Sequence, residues 1–391
     1  MKNIITQFSR AFVGLLFIIS GLIKLNDPMG FSYKLEEYFN ANVLNMEFLI
    51  PYALIIACFV VIFEVVLGIM LLIGFKPKFT VWSLFAMIVF FTFLTGYTYL
   101  TGYIPKGESF FHFSSWQSFN PNNMKVTDCG CFGDALKLTP FESFNKDLIL
   151  LIFILILFFN QKLINPLLGK TPMNLIVFAV YSLCLFMAFY VLQHLPLVDF
   201  RAYKVGTDIR KGMEIPEGAQ KSVYEMVFIY KVNGVETEIP YDDVMANKVP
   251  EGAEFIDRKD KLITQGYVTP IHDFAIEKDG SDYTDSVLDE PKAILFITYD
   301  LKKSKKKGMK KLEELHKKAL EKGYLVIGMT GSDTETIEQF KSEYELTFDY
   351  YLCDPTTLKT IERANPSIVV LEKGVITQKV HFNDIDKVNL K

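Results

Sequence analysis

The sequence predicts an α-helical membrane bundle of five spans, then a small β-rich module, then an α/β domain. Three observations predict it. Half of the 391 residues are apolar, and these crowd into the first 195 positions. From about residue 200 onward Lys, Asp and Glu are spread throughout. In the last third, strand-like and helix-like runs alternate. The expected units are 1–195, 196–268 and 269–391.

Five apolar runs come near the ~20 residues that a bilayer core requires. They are roughly 4–25, 49–74, 79–103, 147–168 and 172–194. The first is too long for a signal peptide, lacks a small-x-small cleavage site and is followed by more runs. The fourth, DLILLIFILILFF, is the most plainly lipophilic. Lys2, Lys76, Lys78, Lys162 and Lys170 lie in the short segments of one side. The opposite segments, 26–48 and 104–146, mix Lys with many acids. This bias places the N-terminus in the cytoplasm. Five spans then leave the 104–146 loop and everything after Pro196 outside. The net charge of −4 gives no reason to expect nucleic-acid binding.

The outer loop carries TDCGCFGD, Thr127 to Asp134, with two of the chain's five cysteines. On this topology Cys129 and Cys131 face an oxidising compartment, where disulfides persist. Gly130 between them permits backbone angles that other residues resist. A bridge at this spacing closes almost no loop and contributes little entropically. A strained, exposed bridge is reducible. A redox pair, a static local bridge and half of a tetrahedral metal site all remain open, with no metal set assigned. Cys58 and Cys184 read as small apolar fillers within spans, and Cys353 as a lone thiol.

Arg10 and Glu64 fall within spans, where an ionisable residue is costly and usually paired or functional. Each is 15 residues from the outer end of its run, counted from Leu25 and Leu49. Antiparallel neighbours would bring them to one depth, so an Arg10–Glu64 ion pair is expected. It reads either as a structural pin or as a proton or quinone-head site.

The first span ends SGLIKLNDPMGF, Ser20 to Phe31. Arg10, Gly14, the GLIKLNDP stretch with Lys24, Asp27 and Pro28, Glu64 with Gly68, and CGCFG together resemble the DoxX/MauE superfamily. The resemblance covers about residues 1–195. It implies a four-helix membrane core, here with a fifth span, in the bacterial inner membrane. It also implies a redox link in maturation of exported proteins, with quinone as a candidate cofactor.

In the soluble half, EMVFIYKV, Asn233-Gly234 and VETEIPY read as a β-hairpin. Strand AILFITY (293–299), a basic helix, strand YLVIGMT (324–330) and an acid-rich helix follow. Two strands joined by Glu372-Lys373-Gly374 close the chain. This order resembles a thioredoxin-like domain of the TlpA/peroxiredoxin branch. The resemblance puts Pro366 at the family's cis-proline, and Leu301 and Ser304 where its CxxC cysteines would be. Without a thiolate there is no nucleophile for disulfide exchange. The domain is therefore expected to bind a partner near Pro366, Leu301 and Ser304 rather than to catalyse.

The expected function is an envelope membrane protein, an accessory thiol–disulfide or electron-transfer subunit assisting exported proteins. Its expected partners are the lipid bilayer and a periplasmic or membrane protein. The alternative is a non-catalytic structural subunit of an envelope complex. Whether the chain is an enzyme is left open by these residues.

Overall fold

The computed structural model describes residues 2–126, 128–220, 223–232, 235–250, 252–264 and 266–391. The first half is helical: α1 (Lys2–Asn26), α2 (Pro28–Phe39), α3 (Ala53–Ile73), α4 (Pro77–Leu100), α5 (Pro140–Phe159) and α6 (Lys170–Gln193). Local chemistry sets the boundaries. Asp27 caps α2 by accepting from the Gly30 N–H at 2.9 Å, and Pro28 occupies the first turn, where its missing N–H costs nothing. Thr139 and Glu142 form a capping box at the start of α5. Gly74 ends α3 at φ +71°, a left-handed position suited to glycine.

Among the described residues four helical segments, rather than the five expected, are long and apolar enough to cross a membrane: α1, α3 with its leading turn, α4 with its trailing turn, and α6. The chain is thus a multi-pass membrane protein. The fourth expected run became α5, which starts earlier and carries Glu142, Lys146 and Asp147 in its first two turns. It packs within the bundle nonetheless. Just past its end, the Asn165 carbonyl accepts from Arg10 of α1 at 3.0 Å, and the Leu167 N–H donates to Ile73 at 3.0 Å. Helices α1 and α3 approach closely at Gly14 and Gly68, where a Cβ on Gly68 would meet the Gly14 carbonyl oxygen at 2.8 Å.

The carboxy-terminal half begins with α7 (Ile209–Met213). A three-stranded antiparallel sheet follows, made of β1 (Val223–Val232), β2 (Val235–Pro240) and β3 (Glu254–Thr264), in the order β2-β1-β3. The short α8 (Tyr241–Met245) leads from β2 toward β3. The expected Asn233-Gly234 turn lies outside the described residues, as does Thr127. On either side of that turn Val232 pairs with Val235.

Next come β4 (Glu277–Lys278), β5 (Ser281–Asp282), α9 (Thr284–Asp289), β6 (Ala293–Ile297), α10 (Lys306–Glu321), β7 (Leu325–Thr330) and α11 (Thr334–Tyr344). The chain closes with β8 (Tyr350–Leu352), α12 (Pro355–Ile361), β9 (Ser367–Glu372) and β10 (Val375–His381). Strand order is β10-β9-β6-β7-β8-β4-β5. Strands β6, β7 and β8 run parallel, and β9 runs antiparallel to both β6 and β10. Every residue of β6 is buried, because apolar clusters cover both faces of the sheet. That double burial makes the strand read as one continuous apolar run. Tyr203 and Ile209, which precede the small sheet, share the core beside Phe274 and Ile376. The Asn365–Pro366 bond is cis.

The carboxy-terminal half rests on the end of the bundle where α1 stops. The Asn26 side chain exchanges two hydrogen bonds with the Val198 backbone, at 2.8 and 3.0 Å.

Candidate functional site

Helices α1 and α3 bring a lysine and a glutamate together inside the bundle. Lys24 Nζ lies 2.6 Å from Glu64 Oε2, and both side chains are 3% exposed. The same ammonium stands over the rings of Phe91, at 4.7 Å, and Phe31, at 5.2 Å. Aromatic faces stabilise a desolvated cation.

The expected Arg10–Glu64 pair does not form. Arg10 donates to the carbonyls of Leu71 (2.9 Å), Leu72 (2.7 Å) and Asn165 (3.0 Å). It caps the last turn of α3, where helix carbonyls lack intrahelical partners and favour a cation. The depth count failed because it took the outer ends of the two runs to be level, and they are not. Residues 47–52 form a separate 3-10 turn, and α3 starts at Ala53. Gly21, rather than Arg10, stands opposite Glu64 and Val65. Arg10 is eleven residues further down α1, about 16 Å at 1.5 Å per residue.

Beside the Lys24–Glu64 pair sits a second one from α5. Lys146 Nζ is 2.6 Å from Asp147 Oδ1, and Asp147 is 1% exposed. The Thr95 hydroxyl of α4 donates to the other Asp147 oxygen at 3.0 Å.

The thiol pair closes this polar pocket from the loop side. Cys129 and Cys131 are free thiols. Cys129 is buried among the hydroxyls of Tyr38, Thr98 and Ser143. Burial pushes its thiol up to about 12, reinforced by the neighbouring Cys131 and opposed by those hydroxyls. Burial also raises the Cys131 thiol; Lys146 pulls it the other way and Asp147 adds to the rise. Burial, followed by the adjacent Cys129, raises the Tyr38 hydroxyl.

The Ser20 hydroxyl of α1 donates to the Cys131 carbonyl at 3.1 Å and lies 3.3 Å from Glu64 Oε1. One hydroxyl proton serves one acceptor at a time. The loop backbone and the intramembrane carboxylate therefore compete for it. Leu16, Phe17, Phe91 and Phe132 line the apolar walls of the enclosed cavity between these groups. Its free volume is about 30 Å³, room for about two waters.

Charges pin both ends of the loop. Asp128 accepts from the Gly130 N–H at 2.6 Å and pairs with Lys34 of α2 at 3.1 Å. Gly130 itself is at φ +62°, which favours glycine. At the far end Asp134 pairs with Arg363 at 2.8 Å, and the same guanidinium pairs with Asp27 at 2.7 Å. Arg363 belongs to the carboxy-terminal half and is 12% exposed.

The three residues assigned to partner binding lie together. The Lys305 N–H donates to the Asn365 carbonyl at 3.0 Å, bringing the Leu301–Ser304 turn beside Pro366. Leu301 is fully buried in the core. Close by, the Tyr33 hydroxyl of α2 donates to Tyr299 at 3.0 Å, so this region of the domain faces the bundle.

Sequence reasoning missed Ser20, Lys146, Asp147 and Arg363 as site residues. Lys146 and Asp147 had a visible signal, two charges heading the most lipophilic run. Arg363 had none: a lone arginine after a short helix reads as surface.

None of the curated proteins matches the chain. A family model does match residues 2–106, that of the methylamine utilisation protein MauE. Arg10, Lys24, Asp27, Pro28 and Glu64 lie inside that stretch; Cys129, Cys131 and the carboxy-terminal half lie beyond it. The amino-terminal helices of this multi-pass membrane protein are thus similar to MauE, through the segment that supplies the buried Lys24–Glu64 pair.

Proposed function

We propose that the chain is an accessory subunit for thiol–disulfide or electron transfer during maturation of exported proteins. The observation that carries this reading is the placement of Cys129 and Cys131 at the mouth of a cavity holding two buried ion pairs. Thiol–disulfide interchange needs proton acceptors and donors close to sulfur. Ser20, Glu64, Lys146 and Asp147 are such groups, shielded from bulk water. In the dithiol state the raised thiols stay protonated, and the neighbouring charges are the route by which a proton would leave.

The N-terminus is proposed to be cytoplasmic, with the thiol loop and carboxy-terminal half on the periplasmic side, and α5, which runs from the thiol-loop end to the Arg10 end of the bundle, is counted as the fifth crossing. The contacts that join the soluble half to the end of α1 and to the thiol loop support placing both on one side. A quinone does not fit the cavity as it stands. The free volume holds only about two waters, and no step is assigned to that cofactor.

The soluble half is proposed to be thioredoxin-like and to bind rather than catalyse. Support comes from the parallel β6, β7 and β8, the antiparallel β9 beside β6, and Leu301 and Ser304 in place of cysteines.

A second reading has its own observation. Thiols held mainly protonated suit a static structural loop in a non-catalytic subunit. A Cys129→Ser/Cys131→Ser double variant decides between them. The redox reading predicts that it fails to support the process that deletion of the protein impairs; full support would leave the structural reading.

A further inference from the structure

The CGCFGD loop is bounded by two carboxylates, and each is held by a cation from a different part of the chain. Asp128, next to Cys129, is held by Lys34 within the bundle. Asp134, three residues after Cys131, is held by Arg363 of the soluble half. Arg363 also reaches Asp27, where α1 hands over to α2, and donates to the Lys359 carbonyl at 2.6 Å. One planar guanidinium thus joins three segments, a geometry that a lysine's single ammonium cannot reproduce.

Other contacts accompany it. The Tyr33–Tyr299 hydroxyl pair lies alongside, with Lys359 over both rings at 4.9 and 5.8 Å. Asp199, itself held by Arg201 and Lys379, lies on the same junction, as does Asn26 with Val198. The soluble half therefore has a docking partner in its own chain, the loop end of the bundle.

We propose that Arg363 is a clamp: while the soluble half is docked, it holds the CGCFGD loop closed over the cavity, and undocking exposes the thiols. Cys129 is buried and Cys131 is partly exposed, so in the docked state the loop limits a macromolecular client's access to the pair. Lys34 keeps the Cys129 end in place from within the bundle. The Asp134 end is the one that can be released, so Cys131 is exposed first.

The test uses full-length protein in native membranes, with Cys58, Cys184 and Cys353 replaced by serine. The loop thiols are reduced, and their rate of modification by a water-soluble maleimide is followed by peptide mass spectrometry. Arg363→Ala is expected to speed modification of Cys131 about tenfold or more, with Arg363→Lys in between. Asp134→Asn, which leaves the α2 cap intact, should move the rate in the same direction. In parallel, a Tyr33→Cys/Tyr299→Cys pair in a chain lacking the loop thiols reports docking by cross-linking. Loss of that cross-link in Arg363→Ala together with faster modification supports the clamp. Modification of Cys131 in both Arg363→Ala and Asp134→Asn within about twofold of the parent overturns it. Maleimide reads exposure and not redox cycling, so this outcome is separable from the proposed function.

Discussion

Lys24 and Glu64 form an ion pair at 2.6 Å in the interior of the bundle, one from each of two antiparallel helices that touch through glycines. Removing one partner leaves a buried charge without compensation, at a cost of about 3–5 kcal/mol, whereas replacing both with apolar groups is often neutral. Lys24→Met and Glu64→Leu should each lower the thermal midpoint in detergent. The double variant should lose less than the sum of the two. Additive losses would show that the pair is not coupled.

Arg10 and Glu64 supply the contrasting case. They lie at different depths with no shared partner, and distant sites add to within about 0.5 kcal/mol. Arg10→Ala, which strips donors from three carbonyls, should destabilise by about 2–4 kcal/mol. Combining it with Glu64→Leu should give a simple sum. A large coupling energy in that cycle would restore the pairing expected from the sequence.

His381 should make the carboxy-terminal half acid-sensitive. Burial, with help from His194, pushes its imidazole down to about 4, although Asp384 opposes this. Its Nδ1 accepts from the Asn383 N–H at 3.0 Å, a bond that requires the unprotonated nitrogen. The sign follows from linkage: the unfolded state binds the proton more readily. The contribution is complete above about pH 6.5 and is lost as pH falls toward about 4. Calorimetry across that window should show a falling midpoint, and His381→Asn should flatten the fall. An unchanged slope in the variant would remove His381 as the cause.

Asp199 titrates lower still. Burial alone would raise its carboxyl, but Arg201 and Lys379 outweigh burial and hold it at about 2. Stability from this cluster is present above the ordinary value of 3.8 and lost only as pH falls toward about 2. The variant Asp199→Asn should therefore weaken the protein at neutral pH and narrow its difference from the parent in strong acid. A difference independent of pH would contradict the cluster's electrostatic origin.

The thiols should be sluggish toward alkylation at neutral pH. With Cys129 at about 12, its thiolate is roughly a thousandfold scarcer than that of an ordinary thiol. Its modification rate should climb about tenfold per pH unit through the alkaline range, since only the thiolate reacts. A plateau near pH 9 would mean that the loop opens readily.

The parts of the fold that were legible in the sequence are those set by one strong physical demand. Bilayer thickness dictates the length of an apolar run, so α1, α4 and α6 stood out. Burial on both faces turns β6 and β7 into continuous apolar runs. The register between α1 and α3 was not legible. It depends on where the 3-10 turn at residues 47–52 ends and on the Gly14–Gly68 contact, neither of which periodicity reports. The Cys129–Cys131 motif announced itself by composition. Arg363 did not, because its partners Asp27 and Asp134 lie more than two hundred residues away in sequence.

Trapping the thiol state in native membranes tests the central claim most directly. Cells are quenched in acid and free thiols are alkylated. Any disulfide is then reduced and labelled with a heavier reagent, and the Cys129–Cys131 peptide is weighed. The account predicts both dithiol and disulfide forms, with their ratio shifting when oxidant or reductant is added before the quench. A single form that does not respond to either would contradict it.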